Sequence, residues 1–265
     1  MQPANGYVNA LTAINPTTDL HINAVGLSLD PRVPNHATQV SRYWYIWLIG
    51  TLYRARGMTH ERDRLITVSG LAKRIGAVTK SRYLAGLWES SLIEGLFWRA
   101  LPSDPSWSAK TKDAPSWLWA SQQGNFIYYP RSVITPVCTF IRADIDYFNP
   151  RDLFGAVTHA ALTLQGRLLS AMLKNDVYEL PLLGIALHHP AWDYHGLDLT
   201  KVCIMALPLS FEWGELQLLL VTASASDSSK YVRVGTAVVR LSGVVDVLDF
   251  DDLLKSVPKA EITLI

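Results

Sequence analysis

The chain has 265 residues, 49% hydrophobic and 10% aromatic, and its 24 Lys+Arg against 23 Asp+Glu leave a net charge of +1. So high an apolar fraction with so little charge excludes intrinsic disorder, and near-neutrality provides no basic footprint for nucleic acid. Two cysteines, Cys138 and Cys203, exclude a disulfide framework. Each lies in an apolar stretch and is expected to be a buried, reduced thiol.

Residues 1–34 carry Pro3, Pro16, Pro31 and Pro34 and read as an irregular arm. The N-terminus has no basic region followed by an apolar one, so no secretory signal is expected. The longest uncharged apolar run, 43–53, falls short of the ~20 residues of a membrane span. The expectation is a cytoplasmic protein without a membrane span. A helix is predicted from Asn35 or Thr38 to about Arg56, with Tyr43, Ile46, Trp47 and Ile49 at helical spacing and Gly57 as its stop. A second helix spans Glu61 to Val78, and a third Tyr83 to Glu94. Eight Lys/Arg between Arg54 and Arg82, against Glu61 and Asp63, make this region basic. It is read as a solvated helix face, or as a surface for an anionic partner.

A Pro/Ser/Lys-rich loop follows at 102–115, and the chain then turns to strands. Trp117 and Trp119 alternate and are expected on one face of a strand. Further strands are predicted over 126–129, 134–145, 156–173 and 182–187. A three-strand antiparallel meander over 202–213, 215–223 and 231–241 is the clearest signal, with a polar turn at 224–229. A short helix at 249–254 and a strand at 261–265 close the chain, within an acidic tail. Helices followed by strands argue an α+β fold. The whole chain reads as one domain, with a mainly helical part over 1–100 and a mainly β part over 101–265. Its N-terminal helices would pack on a largely antiparallel β-sheet or a partly open β-barrel.

Five short blocks carry a resemblance. Asp63-Arg64-Leu65, Ser69-Gly70-Leu71-Ala72, Tyr83-Leu84-Ala85-Gly86-Leu87-Trp88, Gly95-Leu96-Phe97-Trp98 and Ala114-Pro115-Ser116-Trp117-Leu118-Trp119-Ala120-Ser121 occur in this order. Together they resemble the segment that follows the HET domain in fungal heterokaryon-incompatibility proteins, over about residues 40–130. The family pattern has a serine where Leu118 stands. About 35 residues precede the first matching helix, too few for a HET domain, so the resemblance implies a downstream module standing alone. It implies a fold and a fungal origin, without carrying over the cell-death activity. The matching residues are mostly Gly, Leu, Trp and Pro, types expected to hold the fold together.

The chain contains no Gly-x-Gly-x-x-Gly, no P-loop and no Gly-x-Ser-x-Gly, so a nucleotide enzyme is not indicated. One cluster stands out: His188, His189, Pro190, Ala191, Trp192, Asp193, Tyr194 and His195 are consecutive. These include metal-ligand types, but the spacing fits no established metal pattern, so no metal is assigned. The imidazoles of His188, His189 and His195 and the phenol of Tyr194 are candidate hydrogen-bond donors in a pocket. Tyr43, Trp47, Trp117, Trp119 and Trp192 are candidate apolar walls. A chain with donors and walls but no nucleophile suits a cofactor-independent biosynthetic cyclase or isomerase, such as a Diels–Alder-type pericyclase. Its substrate would be a small hydrophobic terpenoid- or polyketide-like molecule, held in a reactive conformer. The alternative is a non-enzymatic recognition or regulatory module of the heterokaryon-incompatibility kind, with a protein partner.

Overall fold

The computed structural model describes residues 63–100, 114–122, 126–128, 134–187, 190–193, 201–241 and 247–265, preceded by Val40, Trp44, Tyr45 and Ile49. The first predicted helix otherwise lies outside these residues. The second is present as α1 (Arg64–Thr79), which turns Leu65, Val68, Ala72 and Ile75 inward at helical spacing. It ends at Lys80, whose left-handed backbone (φ 55°) lets its N–H reach the carbonyl of Gly76.

The third predicted helix is not one. Residues Tyr83–Leu84 (β1) and Leu87–Trp88 (β2) form a tight hairpin, followed by a 3-10 turn at Glu89–Ser91 and a single helical turn, α2 (Leu92–Gly95). Gly86 forces the difference. It has φ +113°, and a Cβ there would lie 2.9 Å from Leu118 and 3.2 Å from Leu65. Only glycine accepts both that backbone and that approach.

Two short strands, β3 (Trp98–Ala100) and β4 (Phe126–Tyr128), pair antiparallel beside this assembly. The remaining strands are β5 (Thr135–Pro136), β6 (Thr139–Tyr147), β7 (Val157–Gly166), β8 (Leu169–Lys174), β9 (Val177–Leu180), β10 (Ile185–Leu187), β11 (Ala191–Trp192), β12 (Ile204–Glu212), β13 (Glu215–Ala223), β14 (Lys230–Arg240) and β15 (Ala260–Leu264). They form one large mixed sheet in the order β10-β9-β8-β12-β13-β14-β15-β7-β6, with β5 also on β12 and β11 also on β14. The sheet does not close into a barrel. The α+β reading holds loosely, because strand dominates and helix is not confined to the N-terminal part: α3 (Val247–Leu253) lies near the end.

The meander is present as β12–β14, antiparallel throughout. Two other predicted strands are each split. Residues 134–145 break between β5 and β6, and 156–173 reverse between β7 and β8. The closing strand β15 pairs parallel to β14 and antiparallel to β7, inserted between them.

The sheet separates two cores. One face meets α1, the β1–β2 hairpin and the tryptophans. The other is largely aliphatic and includes Leu216, Leu218, Leu220 and, from α3, Phe250. Along β13 the residues alternate strictly, with Leu219 and Val221 facing the first core. Bulges break this alternation in both neighbouring strands. In β12 the register shifts between Pro208 and Ser210, so that Leu207 faces the first core and Phe211 the second. In β14 the shift lies between Arg233 and Gly235. A one-residue insertion swaps the faces of everything beyond it.

Candidate functional site

The bulge in β14 sets a densely bonded locus among the described residues. Beyond it, Ala237 and Val239 face the second core. Before it, Arg233 points the other way and is fully buried among the aromatic residues. Its Nε donates to Asp193 Oδ2 at 2.9 Å and its Nη2 to Oδ1 at 3.2 Å, a bidentate pair with both side chains buried. Nη1 donates to the carbonyl of Leu96 and Nη2 to that of Trp98, each at 2.6 Å. The guanidinium carbon stands 3.3 Å from the centroid of the Trp98 ring. Burial pulls the Arg233 proton affinity down, and the Asp193 carboxylate opposes it.

Local sequence explains how Asp193 arrives there. Ala191 and Trp192 pair with Thr236 and Gly235, and the N–H of Asp193 donates to the carbonyl of Val234 at 2.9 Å. A Cβ on Gly235 would sit 2.6 Å from the Ala191 carbonyl, so glycine is needed for β11 to dock. Ser116 completes the clamp. Its Oγ accepts the N–H of Arg233 at 3.0 Å and donates to the main-chain oxygen of Ile265.

The blocks that carry the resemblance converge around this locus. The indoles of Trp44 and Trp119 both donate to the carbonyl of Gly86, at 3.0 and 3.2 Å. Trp98 donates to the carbonyl of Trp117 at 3.1 Å. Tyr45 stacks on Tyr128 at 5.1 Å, accepts the N–H of Trp88 at 2.7 Å, and Tyr128 donates to the carbonyl of Gly95. Burial pushes both phenols above their ordinary value. Arg64 is not a surface cation: it is buried and donates to the carbonyl of Gln122, tying the start of α1 to the Trp119–Ser121 turn.

No family model, curated protein or solved structure matches the chain. The residues therefore speak for themselves. His188, His189, Tyr194 and His195, the candidate donors, lie outside the described residues, as do the candidate walls Tyr43 and Trp47. Trp117 and Trp119 are described and occupy a turn and a 3-10 helix instead of the predicted strand. Both are fully buried. Trp192 is half-buried and meets Tyr178 edge-to-face at 5.6 Å. Among the described residues, no group of three or more His, Cys, Asp or Glu is arranged to hold a metal ion. Asp193, one of the metal-ligand types in the cluster, instead neutralises Arg233.

Cys138 is buried and its thiol is pushed up to about 12, while Cys203 is exposed, contrary to the expectation of two buried thiols. Cys203 immediately precedes β12 and so escapes the packing that its apolar neighbours enter. No helix among the described residues is long and apolar enough to cross a membrane. Sequence reasoning did not single out Arg233. An arginine within an alternating strand signals a solvent-facing position, whereas both faces of this sheet are covered and the bulge places Arg233 on the aromatic side.

Proposed function

We propose that the chain is a non-enzymatic recognition module of the heterokaryon-incompatibility kind, whose interior maintains shape and whose partner contacts come from its surface. One observation carries this reading. Trp44, Trp88, Trp98, Trp117 and Trp119 are all fully buried, so the aromatic surplus that pointed to a pocket is absorbed by packing. Arg233 is likewise fully buried and held by internal acceptors, with four of its hydrogen bonds going to Asp193 and to the carbonyls of Leu96 and Trp98.

The second reading, a cofactor-independent cyclase acting on an apolar terpenoid- or polyketide-like substrate, has its own support. Trp192 keeps exposed surface at the start of the segment that holds Tyr194 and His195. Two experiments separate the readings. Expressed in one of two paired fungal strains, the chain should alter how readily the strains form a heterokaryon. Incubated with linear polyenes and terpenoid precursors, the purified chain should leave them unconverted by mass spectrometry. Unchanged heterokaryon formation overturns the recognition reading, and saturable conversion lost in a Tyr194→Phe or His195→Ala variant establishes the cyclase instead.

A further inference from the structure

Among the described residues two aromatic side chains are more than three-quarters exposed, Trp213 at 79% and Phe148 at 78%. Trp213 occupies the two-residue turn between β12 and β13, where its backbone is left-handed (φ 49°) and Gly214 is its only companion. Phe148 opens the loop from β6 to β7, and a second large apolar side chain in that loop, Leu153, is 56% exposed. Single exposed apolar residues are ordinary on a protein surface, whereas two in one short loop concentrate apolar area at one end of a hairpin.

The loop is held in place from within. The N–H of Phe148 donates to the carbonyl of Ala156 at 2.9 Å, and that of Asp152 to the carbonyl of Asn149 at 2.8 Å. Asp152 also pairs with Lys73 of α1 at 3.1 Å. Phe154 stacks on Tyr83 at 5.1 Å, and a Cβ on Gly76 would lie 3.2 Å from its ring. Asp152 and Phe154 thus turn toward α1 and the β1–β2 hairpin, while Leu153 between them stays exposed. The loop commits one apolar side chain to packing and presents two to the outside.

The surroundings of the loop are basic. Over residues 73–82 and 148–156 the cations are Lys73, Arg74, Lys80, Arg82 and Arg151, all exposed, and the only anion is Asp152. Lys73 and Lys80 are seven positions apart and share one helical row, and Arg82 reaches the carbonyl of Ala143 on β6. Glu89, 4.0 Å from Arg82, and Asp146, near the end of β6, still leave this face positive by two. The whole chain carries only +1. We propose that the β6–β7 tip docks on an anionic lipid bilayer. Phe148 and Leu153 enter the acyl boundary, and the cations beside them meet the lipid headgroups. Apolar insertion and charge attraction are each weak anchors and reinforce one another when they act at one place. Apolar side chains projecting from the end of a hairpin need a surface that yields around them, which acyl chains do. The inference goes beyond the recognition reading: it concerns where the chain is held, not what it recognises.

The test sediments the full chain with sucrose-loaded vesicles of equimolar phosphatidylserine and phosphatidylcholine, and with vesicles of phosphatidylcholine alone. Saturable binding is expected to the mixed vesicles, about tenfold or more weaker binding to the neutral ones, and weaker binding to the mixed vesicles at high salt. Phe148→Ser should weaken mixed-vesicle binding about tenfold, and Arg151→Glu by about the same factor. Both side chains are exposed, so circular dichroism should find the variants folded. Absent saturable binding, equal binding to the two kinds of vesicle, or binding undiminished by Phe148→Ser overturns the proposal. So does self-association without vesicles that Phe148→Ser abolishes in sedimentation equilibrium, which assigns the tip to a second copy of the chain. A chain that alters heterokaryon formation yet does not pellet with vesicles removes the bilayer and leaves the recognition reading standing.

Discussion

The two cores on either side of the sheet are built on different principles. The first is aromatic, and its side chains donate to specific main-chain carbonyls: Gly86, Gly95, Leu96, Trp98 and Trp117. The second is mostly leucine, valine and alanine, and is held chiefly by apolar area. Directional bonds fix one arrangement of hairpins and turns that lack regular structure of their own. Area suffices where the strand ladder already fixes position.

Breaking the directional core at its charge should cost most. Asp193→Asn leaves Arg233 buried with its partner neutralised, and a loss of about 3–5 kcal/mol is expected in urea unfolding. A paired replacement, Asp193→Leu with Arg233→Met, should cost clearly less, because no charge is then stranded. Equal losses would mean that the main-chain bonds of Arg233, not the ion pair, carry the effect. High pH should find the same core. Cys138, Tyr45 and Tyr128 all hold their protons more tightly folded than unfolded. The native state then binds more protons above the ordinary thiol value of 9.0, so stability falls as pH rises. For Cys138 the fall runs from there to about 12, at about 1.4 kcal/mol per pH unit. Stability independent of pH across that window would contradict the burial of all three groups.

The aliphatic core offers the contrast. Leu218→Ala should cost about 3 kcal/mol through cavity and transfer terms, with no pH dependence of its own. Trp119→Phe removes one of the two donors on the Gly86 carbonyl, for about 1–2 kcal/mol. A cycle with Trp44→Phe should show coupling, since the two indoles share that acceptor. The smallest effect should have the opposite sign. Trp213→Gly relieves a left-handed tryptophan and should stabilise the fold by about 1 kcal/mol.

The aliphatic half was far more legible in sequence than the aromatic half. Apolar stretches bounded by turn residues placed β12, β13 and β14 to within two residues, because a sheet packed on both faces leaves near-continuous apolar runs in the sequence. The segment Tyr83–Glu94 has helix-compatible residues, and what makes it a hairpin is the backbone of Gly86 pressed against Leu118, more than thirty positions away. The breaks at Val137–Cys138 and after Gly166 are similarly set by the neighbouring β12, with Val137 donating to the carbonyl of Leu209 and Gly166 lying against Leu207. The candidate donors fall outside the described residues, while Trp117 and Trp119 lie in a turn and a 3-10 helix where a strand was expected. A tryptophan in a core and one in a pocket have the same sequence signature.

The position of β15 has a consequence for how the molecule is made. Leu164 faces Ile262 across the β7–β15 ladder, a separation of roughly a hundred positions. As the chain leaves the ribosome, α1, the hairpin and β7 emerge long before the strand that seats β7 beside β14. Ser116 likewise waits for Ile265. During that interval one edge of β7 stays bare, and the nascent chain must be kept from pairing it with another strand.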